Sequence, residues 1–225
     1  MGLSRYFQYL IFAFIFSVFP SVYGQKTFSS SSLLSPSKAT IMIDIGHGGT
    51  DRGARARGPF CEEKRICLQT GRLVKKYLDQ LGYRVILTRS TDVFVSLPRR
   101  VEMADQARAS LFVSIHYNSA PSSQAKGIEV FYSESPKQKM RSAASKKLAQ
   151  TILSRVIHRT SAISRGVKKG NFFVIRETSM PAVIVEGGFI SNEEERICLK
   201  DHTYIDKIAR GVADGIDLYY RGRIL

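Results

Sequence analysis

Short β-rich, largely apolar runs, separated by longer stretches with helical spacing, constrain the fold of this chain more than any other feature. Residues 40–44, 83–88, 111–115, 127–132, 172–175 and 182–186 are such runs. Largely apolar segments of this length suit strands covered on both faces. Between them, residues 64–81 place Cys67, Gly71, Val74, Leu78 and Leu81 at steps of four, three, four and three, which is one face of a helix, and Gly82 ends it. Residues 97–108 predict a helix with Leu97, Val101, Ala104 and Ala107 inward. Residues 144–157 predict another with Leu148, Ile152 and Val156 on one stripe, and Ile205, Ile208, Ala209, Val212 and Ile216 line a last one. The alternation predicts an α/β fold: a single-domain three-layer sandwich, with a mostly parallel or mixed sheet and helices on both faces.

The first residues do not belong to that pattern. Arg5 precedes an apolar run over 9–19, then Pro20 and Ser21-Val-Tyr-Gly24, with Val22 and Gly24 as the small residues at the cut. A cation, a short apolar stretch and small residues predict a signal peptide over residues 1–24, cut after Gly24. The run is shorter than the roughly 20 apolar residues that span a bilayer. Residues 25–38 are Ser-rich and read as a linker, which leaves residues 39–225 as the folded domain. A secreted domain, in the periplasm or cell envelope, is expected. The formal net charge of +15 falls almost entirely on it. Outside the cytoplasm such charge favours an anionic envelope surface and makes nucleic acid an unexpected partner. Cys61, Cys67 and Cys198 form no C-x-x-C pair, so neither a cysteine metal site nor a disulfide scaffold is expected. The expected state is a monomer.

The chemistry concentrates at strand ends. His47 follows the first run in Asp44-Ile-Gly-His-Gly-Gly49, and His116 follows the third in Val113-Ser-Ile-His-Tyr-Asn118. Ligands in open α/β sheets gather beyond the carboxyl ends of strands. Glu186 closes an apolar strand, where a carboxylate is costly unless it has a metal or a proton to serve. Glu62 and Glu63 open the first long helix. Two imidazoles with carboxylates are the usual donors of a catalytic zinc that keeps one position for water. A further carboxylate then supplies a general base for amide hydrolysis. His158 and His202 are expected at the surface. Gly46, Gly48 and Gly49 lack the G-x-G-x-x-G spacing and the lysine of a phosphate loop.

Taken together, these segments resemble the zinc-dependent N-acetylmuramoyl-L-alanine amidases of bacterial cell walls. The similarity runs from about residue 40 to residue 220. It rests on Ile43-Asp-Ile-Gly-His-Gly-Gly-Thr-Asp-Arg-Gly-Ala54, Glu63-Lys64, Leu111-Phe-Val-Ser-Ile-His-Tyr-Asn118 and Pro181-Ala-Val-Ile-Val-Glu-Gly-Gly-Phe-Ile-Ser-Asn192. The resemblance implies Zn²⁺ held by His47, Glu63 and His116, with Glu186 as the catalytic general base and Asn118 helping to orient substrate. The loop before Glu63 is one residue longer than usual, which makes Glu62 the rival ligand. Glu63 is chosen because the helix matches without a gap from Lys64. The implied reaction cuts the amide bond between N-acetylmuramic acid and L-alanine in peptidoglycan, for wall remodelling or cell separation. A zinc carboxypeptidase acting on the stem peptide is the alternative. Some relatives carry a helical plug between the second histidine and the catalytic glutamate. The 70 positions from His116 to Glu186 imply an enzyme without one, and a protein activator is left open.

Overall fold

The computed structural model describes residues 39–56 and 61–222, so the signal peptide and linker lie outside the described residues. The elements in chain order are β1 (Thr40–Ile45), β2 (Arg55–Ala56), β3 (Cys61–Glu62), α1 (Glu63–Gln80), β4 (Arg84–Leu87), α2 (Leu97–Gln106) and β5 (Leu111–Asn118). They continue with β6 (Ile128–Tyr132), α3 (Lys139–Thr160), β7 (Ser164–Lys169), α4 (Phe173–Glu177), β8 (Ala182–Phe189), α5 (Glu193–Cys198) and α6 (His202–Arg221). Six strands form one sheet in the order β4-β1-β5-β8-β6-β7, and β2 pairs with β3 apart from it. Within the large sheet only the β6–β8 pairing is antiparallel, so the sheet is mixed.

Strand alternation sorts side chains between two cores. Ile41, Ile43 and Ile45 of β1, Val113 and Ile115 of β5, and Val183 and Val185 of β8 pack with the apolar stripes of α1, α3 and α6. The intervening residues Met42, Phe112, Ala182 and Ile184 pack with Ala104 of α2 and Val174 and Ile175 of α4. The second helical layer is the thinner one. Continuing its face toward the carboxyl ends of the strands, Asp44, Ser114, His116 and Glu186 replace the apolar residues. Antiparallel β6 contributes Glu129 at its amino end, directly opposite Glu186.

Four expectations need correction. Residues 172–175 do not form a strand; Phe173–Glu177 is the short helix α4. A four-residue apolar run cannot separate strand from buried helix. The sheet edge belongs to β7, whose Ser-Arg-Gly-Val-Lys-Lys carries no apolar period, as a solvent-facing edge strand need not. Leu97, expected inward, is 52% exposed, because it opens α2 beside the N-cap Ser96. Helix α3 starts five residues before Ala144, at Lys139. Glu186 does not close its strand, because β8 continues to Phe189.

Candidate metal centre

β1 ends at Ile45, and the chain turns so that His47 adopts φ 56°, a conformation few non-glycine residues take. The turn is held from below. Arg100 donates through Nη2 to the His47 carbonyl (2.9 Å) and through Nη1 to the Ile45 carbonyl and Asp44 Oδ1 (both 2.6 Å). Asp44 also accepts from Thr88 Oγ1 (2.9 Å) and Ser114 Oγ (2.6 Å). Burial disfavours the Asp44 charge, but the Arg100 guanidinium and the Ser114 hydroxyl hold its carboxyl below the usual carboxylate range. Arg89 donates to the Ile45 and Gly46 carbonyls and to that of Lys64, tying the turn to the start of α1 (3.1, 2.6 and 2.8 Å). The Gly49 amide donates to Asp92 Oδ1 (2.8 Å), so it is not offered to a phosphate.

The turn, the first residue of α1 and the end of β5 meet at one point. Glu63 Oε1 lies 2.9 Å from His47 Nε2 and 2.9 Å from His116 Nδ1. The two rings stand edge to face with centroids 4.8 Å apart. Each of the three residues offers one ligand atom within 4.8 Å of the others, a set able to hold a metal ion. Backbone amides aim the carboxylate: Tyr117 N–H donates to Oε1 (3.1 Å) and Ala54 N–H to Oε2 (2.8 Å). The space is reserved by glycines. A Cβ on Gly46 would lie 2.5 Å from the His116 ring, and one on Gly53 would lie 2.6 Å from both Glu63 and the His47 ring. Glu62 does not join the cluster. Its buried carboxylate faces Arg52 and Arg65 at 3.4 and 3.3 Å.

Asp51, to which the sequence reading gave no separate role, accepts from His47 Nδ1 at 2.9 Å. A carboxylate behind a ligating imidazole fixes its tautomer and leaves Nε2 for a cation. Only the one-turn proximity of residues 47 and 51 hinted at this in the sequence. His158 and His202 are exposed, as expected. All three cysteines are free, Cys61 and Cys67 buried and Cys198 exposed.

Electrostatics bind the cluster in the metal-free state. Burial disfavours charge on all three groups, but their hydrogen bonds prevail. The Glu63 carboxyl is held well below the carboxylate range by His116 and His47, and Glu63 lifts His47 and raises His116 to about 9. A cation must therefore displace protons from imidazoles. Zinc titration calorimetry near neutral pH, in buffers of differing ionisation enthalpy, should report roughly one to two protons released per ion, with affinity falling as pH drops. Tight, pH-independent binding without proton release would contradict this arrangement.

Glu186 sits beside His116 in the β5–β8 register. Its Oε2 is sealed from solvent and has no hydrogen-bond partner among the described residues. Burial, reinforced by the Glu63 and Glu129 charges, raises its carboxyl to about 7 despite His116. A carboxyl poised near neutrality, with one oxygen free of any partner, is suited to exchange a proton with a bound reactant. Both ends of the Asn118 amide are engaged within the protein: its Nδ2 donates to Glu129 Oε1 (2.8 Å), and its Oδ1 accepts from Ser119 N–H (2.8 Å).

Comparison with known proteins gives the family. Residues 41–218 match the family model described as N-acetylmuramoyl-L-alanine amidase. The chain is 40% identical over 182 residues to the N-acetylmuramoyl-L-alanine amidase LytC of Bacillus subtilis, covering 81% of this chain but only 36% of LytC. Among solved structures, the catalytic domain of the amidase CwlV from Bacillus (Paenibacillus) polymyxa aligns with a TM-score of 0.75 at 39% identity, covering 81% of this chain and 98% of that one. The Clostridioides difficile amidase CwlD, solved in complex with the GerS lipoprotein, aligns with a TM-score of 0.76 at 30% identity, covering 82% and 99%. With a family match running from the first strand to the last helix, the chain belongs to the N-acetylmuramoyl-L-alanine amidase family.

Proposed function

We propose that this chain is a secreted amidase that hydrolyses the bond between the lactyl carbonyl of N-acetylmuramic acid and the amine of L-alanine in peptidoglycan. His47, Glu63 and His116 would hold Zn²⁺, and Glu186 would move the proton. The observation that carries the reading is the convergence of three ligand atoms within 4.8 Å beside the Glu186 carboxyl, whose Oε2 is buried without a hydrogen-bond partner among the described residues. Two nitrogens and one oxygen suit zinc better than magnesium or calcium, which prefer oxygen. When bound, zinc would polarise the scissile carbonyl and acidify water. Glu186 takes a proton from the attacking water and returns it to the L-alanine nitrogen as the C–N bond breaks, so a neutral amine departs. Asp51 keeps the His47 tautomer fixed throughout.

The same groups could serve a carboxypeptidase, but the family does not favour it. Mass spectrometry of digested peptidoglycan decides: stem peptides beginning with L-alanine are expected, whereas loss of a terminal D-alanine alone would overturn the reading. The longest helix between His116 and Glu186, α3, packs against α6 on the far face of the sheet from both residues, which supports an enzyme without a built-in plug. CwlD was solved with a lipoprotein; a protein partner for this chain remains a proposal by analogy.

No helix among the described residues is long and apolar enough to cross a membrane. Attachment to the envelope would instead be electrostatic. Helix α3 carries Lys139, Arg141, Lys146, Lys147, Arg155 and Arg159 and no acidic residue. Sedimentation with isolated envelope should fall as salt rises, since screening acts within about 10 Å at 0.1 M. Replacing Lys139, Lys146 and Lys147 with Glu should weaken it further; sedimentation indifferent to salt would remove the proposal.

A further inference from the structure

The edge strand β7, which carries no apolar pattern, brings two cations to the same end of the sheet as Glu186. Between them and Glu186 stands Glu129, 3% exposed. Its Oε1 accepts from Asn118 Nδ2 (2.8 Å), and its Oε2 accepts from Arg165 Nε (2.8 Å) and Lys168 Nζ (2.5 Å). Two cations on one carboxylate leave a local excess of one positive charge. Both cations keep about a third of their side chains in solvent, 34% for Arg165 and 38% for Lys168.

Arg165 is held more rigidly than a surface arginine needs to be. Glu129 grips Nε, the Lys126 carbonyl accepts from Nη1 (3.3 Å), and the guanidinium lies over the Phe189 ring, 4.8 Å from its centroid. Its Nη2 has no partner among the described residues. Holding a guanidinium fork in place while leaving donors open is what bidentate capture of a carboxylate requires.

Position decides which carboxylate. β6 lies between β8 and β7, so Arg165 is two strand spacings, about 10 Å, from Glu186. An extended dipeptide covers about 7 Å, and the arginine side chain closes the difference. The residue after L-alanine in a stem peptide is a D-isoglutamyl unit whose α-carboxyl group is either free or amidated.

Resting on the amidase reading, we propose that Arg165, assisted by Lys168 and held by Glu129, forms a subsite for the free α-carboxylate of the second stem-peptide residue, so that the enzyme prefers acidic over amidated stems.

The test compares kcat/KM on N-acetylmuramoyl-L-alanyl-D-isoglutamate and its D-isoglutamine counterpart. A charge-assisted bidentate contact should favour the acid by about tenfold or more. In Arg165→Ala that ratio should collapse to within about twofold, and Arg165→Lys should keep part of it, as a point charge without the fork would. A wild-type ratio near one, or a ratio that survives in Arg165→Ala while both rates fall together, would overturn the subsite and leave the arginine a scaffold role. Calorimetric binding of both compounds to Glu186→Gln, with and without Arg165→Ala, gives the same comparison without turnover. If the wild type cleaves neither compound while Glu186→Gln still binds the acid more tightly through Arg165, the amidase reading fails and the subsite stands. Equal binding of both compounds sinks the subsite alone.

Discussion

Replacing Glu186 with Gln should lower kcat by about 10²–10⁴-fold while leaving bound metal intact, because the change removes a proton carrier but none of the three clustered ligand atoms. KM should change little. The variant should also separate from the wild type in stability, in a direction fixed by the carboxyl's shift. Its folded value of about 7 lies above the ordinary value of 4.5, because burial penalises the ionised form. The folded state therefore binds more protons than the unfolded state between those values, and stability is lost as pH rises through that window. Glutamine does not titrate. In metal-free protein, the unfolding free energy of Glu186→Gln relative to wild type should rise by about 1–3 kcal/mol between about pH 5 and about pH 8. Denaturant unfolding with chelator present measures it. Full turnover by the variant on purified wall would remove Glu186 from the chemistry, and a pH-independent stability gap would show that its carboxyl is not shifted.

The second large effect is expected at a residue that touches neither ligand atoms nor substrate. Arg100 is 2% exposed and joins Asp44, itself 1% exposed, to the carbonyls on which the His47 turn hangs. Arg100→Leu leaves Asp44 charged and buried with only hydroxyl donors, and such removals cost about 3–5 kcal/mol. For a domain of this size that is a fall of about 6–20 °C in Tm. Because His47 sits at φ 56° and depends on those bonds, metal affinity should fall by about 10–100-fold as well. Arg100→Lys keeps the charge but loses the fork that serves two carbonyls and a carboxylate, so it should recover part of the stability and little of the metal affinity. A variant with unchanged Tm and wild-type zinc affinity would refute the claim that this network sets the turn.

Sequence reading went furthest where physics is local. Apolar runs that are buried on both faces announce strands whatever their partners, so β1, β5, β6 and β8 were legible, and the spacing of α1 and α6 gave their inward stripes. His47, His116 and Glu186 were conspicuous because each puts a polar group just past, or within, an apolar run, where only a function or a partner offsets the burial. The elements that were missed or mistaken have weak local signals. β7 is an edge strand whose side chains gain little by burial, and α4 is a single turn whose Phe-Val-Ile run fits strand and helix equally well.

The sequence by itself determined the layered α/β class and the residue types available for the reaction, because periodicity and side-chain chemistry are properties of short segments. Local chemistry left Glu62 and Glu63 equal; the resemblance favoured Glu63, and only the tertiary structure gives the reason, turning Glu63 inward to the histidines and Glu62 toward Arg52 and Arg65. It alone joined Asp44 to Arg100 and set Arg165 against Glu129 beside Glu186. Adjacent glutamates have equal local chemistry. What separates them is the direction in which the first turn of α1 leaves the β3 strand, and that direction is fixed by contacts with residues far away in the chain.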